Sequence, residues 1–368
     1  MPLDKQIESA RKEIATDGYD MSVGEILNLY RDDELIIHPE YQRLFRWDPS
    51  RKTRFIESLL LGIPLPPIFV FQTKKGVWEL IDGLQRLSTI FEFVGVLKQP
   101  PGATTNVAPA QLQGTNFLPD LSEKAWESTG AIEGIGKDAQ LYIKRARIRV
   151  EILKKESDPL AKYELFQRLN TGGAQLTEQE VRNCIALMIN PQFYRWLASL
   201  SQFPAFTETT AQTDVALKKQ AGVELVLRFL AFRNVPYQPG LDVHEYLDKA
   251  LVDMAGDTNF PMTVEKLVFE RTFGLMQAAL DGNAFRRWDG AQFTGKFLMS
   301  LFEVLATGIS KNIDAIEGLR TQPAVEFIST KAKAPWNNAA FRDNSGAGVR
   351  GTTRLAKLLP MGPRFFKP

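Results

Sequence analysis

Residues 81–90 read I-D-G-L-Q-R-L-S-T-I. The apolar run 77–81 stops on Asp82-Gly83, and helical spacing begins at once, with Gln85 and Arg86 in the first turn and Leu87, Ile90, Phe91 and Val94 as the face to be buried. A strand that ends on Asp-Gly against a helix N-terminus gathers unpaired backbone N–H groups and the positive end of the helix dipole at one spot. Such a spot suits an anion, phosphate above all. Arg86 adds a planar, permanently charged fork, and Gln85 an amide that donates to phosphate or holds a water.

Around this turn the first half of the chain carries the signals of a small mixed sheet with helices. Residues 68–72 and 77–81 read as strands joined at Lys74-Lys75-Gly76, and residues 34–37 as a third. Residues 141–143 and 146–153 return to strand character, with Ile148, Val150 and Ile152 inward and Arg147, Arg149 and Glu151 outward. Ser22-Val23-Gly24-Glu25 has capping-box spacing and starts a helix over 23–30; Asp48-Pro49 starts another, which Gly62 ends. The first residues, M-P-L-D-K-Q-I-E-S-A-R-K-E, are charged and helical, unlike a signal peptide. Residues 99–136 read as a surface insertion with a short helix near 121–127.

From 158 to 320 helix follows helix, over 159–169, 178–189, 192–200, 215–232, 243–254, 264–280 and 294–308, with no convincing strand and no repeat. Thr177-Glu178-Gln179-Glu180 is a second capping box. The expected class is α+β: a small mixed-sheet domain with helices in residues 1–155, then an all-α helical bundle in residues 156–368 that ends in a basic segment.

A chain of 368 residues with 44% apolar and 24% charged residues has the composition of a globular protein of about two domains. No apolar run approaches the roughly 20 residues of a membrane helix, so a cytoplasmic location is expected. The single cysteine, Cys184, excludes an internal disulfide and multi-cysteine zinc sites, and reads as a small buried hydrophobe. With His38 and His244 alone, neither a histidine-ligated metal nuclease nor a Ser-His-Asp hydrolase is expected. No Walker A loop or dinucleotide fingerprint appears. Net charge is +2, yet from Lys331 onward eight basic residues face one acid, a distribution that suits a phosphate backbone or a solvated face equally.

Two further segments stand beside the 81–90 turn. Residues 41–47, Y-Q-R-L-F-R-W, alternate polar forks with rings; Phe45 and Trp47 read as core, with base stacking the alternative for Trp47. Residues 166–183, F-Q-R-L-N-T-G-G-A-Q-L-T-E-Q-E-V-R-N, are a helix, a glycine turn and a second helix. Asn170-Thr171-Gly172-Gly173 is either a helix C-cap or a nest of N–H groups for an anion. Asp82-Gly83 and Arg86, taken alone, also read as a turn and a surface ion pair.

Taken together, Y-Q-R-x-F-x-W, D-G-x-Q-R and F-x-R-L-N-T-G-G-x-x-L-T-x-x-E-x-R-N resemble, in order and spacing, the N-terminal ParB-like (ParB/sulfiredoxin) domain of the GmrSD-type restriction family. The resemblance implies a domain acting in defence against foreign or modified DNA, whose D-G-Q-Q-R signature serves nucleoside triphosphate binding and hydrolysis. Leu84 replaces the first glutamine here, which bears on hydrolysis more than on binding. Carried over, Asp82, Gln85 and Arg86 are catalytic, and Gln42, Arg43, Gly83, Arg86, Asn170, Thr171, Gly172, Gly173 and Arg182 bind the nucleotide. Asp82 would hold a magnesium ion, an expectation from triphosphate chemistry. Glu180 reads as the cap partner of Thr177 rather than a base.

The H-N-H nuclease domain of many relatives has no counterpart, since past residue 190 the one histidine is His244. The leading expectation is a nucleoside-triphosphate-binding switch, leaning to a triphosphatase, that acts with DNA through Arg350, Arg354 and Lys357 and with a nuclease in trans; homo-oligomers are compatible with it. The alternative is a non-catalytic DNA-binding or scaffolding protein. A stand-alone nickase ranks last, for want of a nucleophile or metal cage.

Overall fold

The computed structural model describes residues 2–4, 16–37, 47–73, 75–98, 110–154, 177–319, 323–346 and 348–368. The chain divides into two compact units, Met1–Gln175 and Leu176–Pro368.

In the first unit, β1 (Thr16–Ser22) leads into α1 (Val23–Arg31), then β2 (Leu35–Ile36) and α2 (Pro49–Leu61). There follow β3 (Ile68–Gln72), β4 (Trp78–Asp82), α3 (Leu84–Val94), α4 (Gly136–Arg145) and β5 (Arg147–Leu153). The sheet order is β1-β5-β3-β4-β2, with β1–β5 and β3–β4 antiparallel and β5–β3 and β4–β2 parallel. The α+β expectation therefore holds. The helix starts are chemically explicit. Ser22 accepts from Glu25 N–H at 3.1 Å, Asp48 accepts from Arg51 N–H at 3.0 Å, and Gly62 ends α2 at φ 67°. Helices α1 and α3 meet where the Tyr30 and Phe91 rings stack at 4.0 Å. Val23, Ile26, Ile56, Val70, Leu87, Ile90, Phe91 and Val150 lie in the core.

Local readings are corrected at four places. Residues 141–143 belong to α4 rather than to a strand; Ile143 alone of that helix is buried, so no apolar stripe announces it. Strand β1 carries no strand signal of its own, since Asp17, Gly18 and Asp20 are poor strand formers, and it exists through its seven-residue register with β5. In place of a helix over 121–127 there is a 3-10 turn, Pro119–Leu121, followed by isolated bridges. Within the buried face of α3, Phe93 rather than Val94 is fully covered.

The second unit contains α5 (Glu178–Ile189), α6 (Pro191–Leu200), α7 (Pro204–Thr210), α8 (Asp214–Lys218), α9 (Ala221–Asn234), α10 (Val243–Gly256) and α11 (Met262–Leu280). A short hairpin, β6 (Arg287–Trp288) with β7 (Phe293–Thr294), precedes α12 (Met299–Lys311), α13 (Ile313–Glu317), α14 (Ala324–Lys331), α15 (Ala339–Ser345), α16 (Gly351–Leu358) and α17 (Met361–Phe365). That hairpin is the strand the sequence did not announce after residue 155. The single helix expected over 215–232 breaks at Gln220, which sits at φ 63°. Helices α9 and α12 are buried nearly all round and form the centre, where Phe206 meets Phe273 and Phe229 meets Phe269 edge to face, and Phe302 stacks on Phe273.

The basic carboxy-terminal segment is packed rather than solvated: Leu355, Leu358 and Phe366 are fully buried. Helix α17 crosses α12 at two glycines so closely that a Cβ on Gly308 would lie 2.5 Å from the carbonyl oxygen of Gly362. Gly308→Ala is therefore expected to cost about 1–3 kcal/mol as an overpacked crossing, read as a lower midpoint in urea unfolding.

Candidate functional site

The Asp82–Arg86 turn forms as its sequence dictates. Strand β4 ends at Asp82, paired with Phe69 where the β3 register shifts at a bulge. Gly83 takes φ 106°, and a Cβ there would lie 2.5 Å from Ile68 Cγ2, so only glycine serves on both counts. Helix α3 then starts without a side-chain cap, unlike α1, α2 and α5. Gly83 has no side chain with which to cap that first turn.

Arg86 is the turn's fastener. Its Nη2 donates to Asp82 Oδ2 at 2.8 Å, and its Nη1 donates to the carbonyl oxygens of Pro66 and Pro67 at 2.5 and 2.9 Å. The guanidinium side chain is 13% exposed and the Asp82 carboxylate 39%. Among the described residues, Nε–H and the second Nη2–H have no acceptor. Proline carbonyls suit this role, because the diproline leading into β3 has no N–H with which to claim a strand partner. Gln85 reaches the 41–47 motif at its last residue, Oε1 accepting from the backbone N–H of Trp47 at 3.1 Å. The Trp47 ring meets Phe55 edge-on at 5.6 Å, as core packing requires, while its Nε1 is buried without an acceptor. Leu84 is half-buried.

The structure thus joins Asp82, Gly83, Gln85 and Arg86 to Trp47. Gln42, Arg43, Asn170, Thr171, Gly172 and Gly173 lie outside the described residues. Arg182 is in the second unit, on α5, where the capping box of Thr177 and Glu180 forms reciprocally. Its side chain is fully buried; Nε donates to Asp248 at 2.7 Å, Nη2 lies 2.9 Å from His244 Nδ1, and Nη1 has no partner. Of the carboxy-terminal basic residues, Arg350 and Lys357 are exposed and form no ion pair among the described residues. Arg354 is committed to Glu303, a carboxylate with 0% exposure, at 2.9 Å. Cys184 is buried, as its place on α5 predicts.

A phosphate group fits what the turn offers: a helix start without a side-chain cap and two guanidinium protons without an acceptor among the described residues. A metal ion fits less well, because Asp82 already neutralises Arg86. Among the described residues no group of three or more His, Cys, Asp or Glu could hold one. Sequence reading missed the diproline carbonyls, Asp248 and Glu303. Only the first left a trace, the Pro66-Pro67 pair itself.

Residues 23–187 match the family described as the GmrSD restriction endonuclease, N-terminal domain. No curated protein and no solved structure matches the chain.

Proposed function

We propose that this chain, whose residues 23–187 match the GmrSD-type N-terminal domain, is a nucleoside-triphosphate-responsive component of a restriction system. Phosphates seat at the Asp82–Arg86 turn, on the amides of α3 and the remaining donors of Arg86. A magnesium ion accompanying the triphosphate would find Asp82 as its candidate carboxylate, in competition with Arg86. The bound state controls how the chain engages DNA, through Arg350 and Lys357, together with a nuclease on another chain. The observation that supports this reading most is the uncapped start of α3 beside a guanidinium with donors to spare.

The competing structural reading has one observation of its own: Asp82, Pro66 and Pro67 give Arg86 a purely architectural task. Thermal shift and phosphate release with each of the four ribonucleoside triphosphates, with and without magnesium and DNA, separate the two. On the proposed reading at least one triphosphate raises the melting temperature. Arg86→Ala removes that rise and, by stripping partners from three acceptors, also lowers unliganded stability by about 2–4 kcal/mol. A folded Arg86→Ala protein with an undiminished nucleotide shift leaves only the architectural task. Leu84→Gln, which restores the family's side chain at a half-buried position, is expected to raise phosphate release without changing the shift.

A further inference from the structure

The second unit carries a surface that the triphosphate reading does not use. Hairpin residues Trp288 and Phe293 pair across β6 and β7 with ring centroids 4.9 Å apart. The 3-10 turn Ala334–Asn337 sets Trp336 against Phe341 of α15 at 5.2 Å. These two aromatic pairs exchange cations. Lys333 Nζ lies 4.5 Å over the Trp288 ring, and the Arg287 guanidinium 5.8 Å over the Trp336 ring. Arg342 joins them by donating to the Trp336 carbonyl oxygen at 3.0 Å.

Arg287, Lys333 and Arg342 form no ion pair among the described residues. Of the nearest acids in sequence, Asp343 follows Arg342, and Asp289 accepts from the backbone N–H groups of Gln292 and Ala291, both at 2.9 Å; those bonds, with a smaller contribution from the charge of Arg287, hold the Asp289 carboxyl below the usual carboxylate range. Two of these cations are thus seated on rings and the third on the Trp336 carbonyl oxygen, none in an ion pair among the described residues, although their mutual repulsion opposes folding. Trp288, Phe293 and Trp336 remain half-buried, and the Trp336 Nε1 has no acceptor. Fixed positive charge interleaved with partly open rings complements a polyanion that has flat faces to offer. Duplex DNA keeps its bases stacked away from such rings; a single strand does not.

We propose that the clasp of Arg287, Trp288, Phe293, Lys333, Trp336 and Arg342 binds single-stranded nucleic acid, phosphates on the three cations and unpaired bases on the Trp288–Phe293 pair. The site is independent of the Asp82–Arg86 reading and stands or falls without it. The test is fluorescence anisotropy of the whole chain with labelled oligothymidylate, oligouridylate and a duplex of equal length, about 16 nucleotides long. Salt is varied between about 50 and 200 mM.

Arg287→Ala/Lys333→Ala is expected to weaken single-strand binding about tenfold and to flatten the slope of log K against log salt by roughly 1.4, two released phosphates' worth. Trp288→Leu is expected to weaken it at least fivefold while leaving duplex binding unchanged. Binding of either single strand with these losses supports the site, and the better of the two identifies its source. Failure of the wild-type chain to bind either strand, or a folded double variant with wild-type affinity and slope, overturns it. Photocrosslinking of unmutated protein to an iodouracil-substituted strand needs no variant to fold: adducts on Trp288, Phe293 or Trp336 support the site, and adducts confined to other residues overturn it.

Discussion

Replacing Arg182 by methionine is expected to cost the helical unit roughly 3–5 kcal/mol, because it removes the charged partner of Asp248, a carboxylate with 8% side-chain exposure. Asp248→Leu should cost a similar amount, stranding a fully buried guanidinium that now bonds through Nε and reaches His244 through Nη2. The double variant Arg182→Met/Asp248→Leu should recover most of the loss, since an apolar pair of similar volume removes both charges from the interior. Urea unfolding of the four proteins reads this directly. Losses below about 1 kcal/mol in both single variants would mean that the pair is not buried in solution as it is here. The double variant also decides Arg182's part in function. If its stability returns and its nucleotide shift is that of wild type, Arg182 is an architectural residue of the T-x-x-E-x-R-N segment. If the shift disappears from a stable protein, the unpartnered Nη1 belongs to phosphate recognition.

What could be read in the sequence was local. Ser22 with Glu25, Asp48 with Pro49 and Arg51, and Thr177 with Glu180 are caps whose partners lie within three residues, and each formed as expected. Asp82 and Arg86 are also one helical turn apart, so their pairing was open to view. Burial on one face of β5 could be read because Ile148, Val150 and Ile152 alternate with polar residues. What could not be read depended on distant chain. Strand β1 is defined by β5, more than a hundred residues away, and α4 hides because Leu141 and Tyr142 are exposed beside the buried Ile143. The acceptors of Arg86 at Pro66 and Pro67 are backbone oxygens, which no side-chain pattern encodes. Arg182 and Arg354 looked like free cations for ligands because nothing in sequence ties them to Asp248 and Glu303. A basic residue read from sequence is a candidate for phosphate only until its carboxylate is found.

Arg354→Ala is expected to show the same physics with a pH signature. Burial pushes the Glu303 carboxyl above its ordinary value, and the hydrogen bonds and charge of Arg354, with a smaller contribution from Arg228, pull it back down. A carboxyl whose folded pKa is raised favours the protonated protein. It costs nothing below its unfolded value, about 4.5, and its cost grows as pH climbs through the folded value. Removing Arg354 raises that folded value further and widens the window. The variant should therefore lie near wild type in stability below pH 4.5 and fall behind by roughly 3–5 kcal/mol as pH approaches neutrality. Glu303→Gln in the same background should erase most of the pH dependence, because an amide has no charge to strand. Equal losses at pH 4.5 and at neutrality would place the effect in packing rather than in the buried charge. The outcome bears on DNA as well. Alanine at Arg354 would weaken DNA binding by loosening α16 against α12, whereas Arg350→Ala and Lys357→Ala alter exposed cations and leave that contact intact. If DNA binds through this helix, those two variants should lower affinity in a salt-dependent way at unchanged melting temperature, while Arg354→Ala should lower both, and only above the pH at which Glu303 ionises.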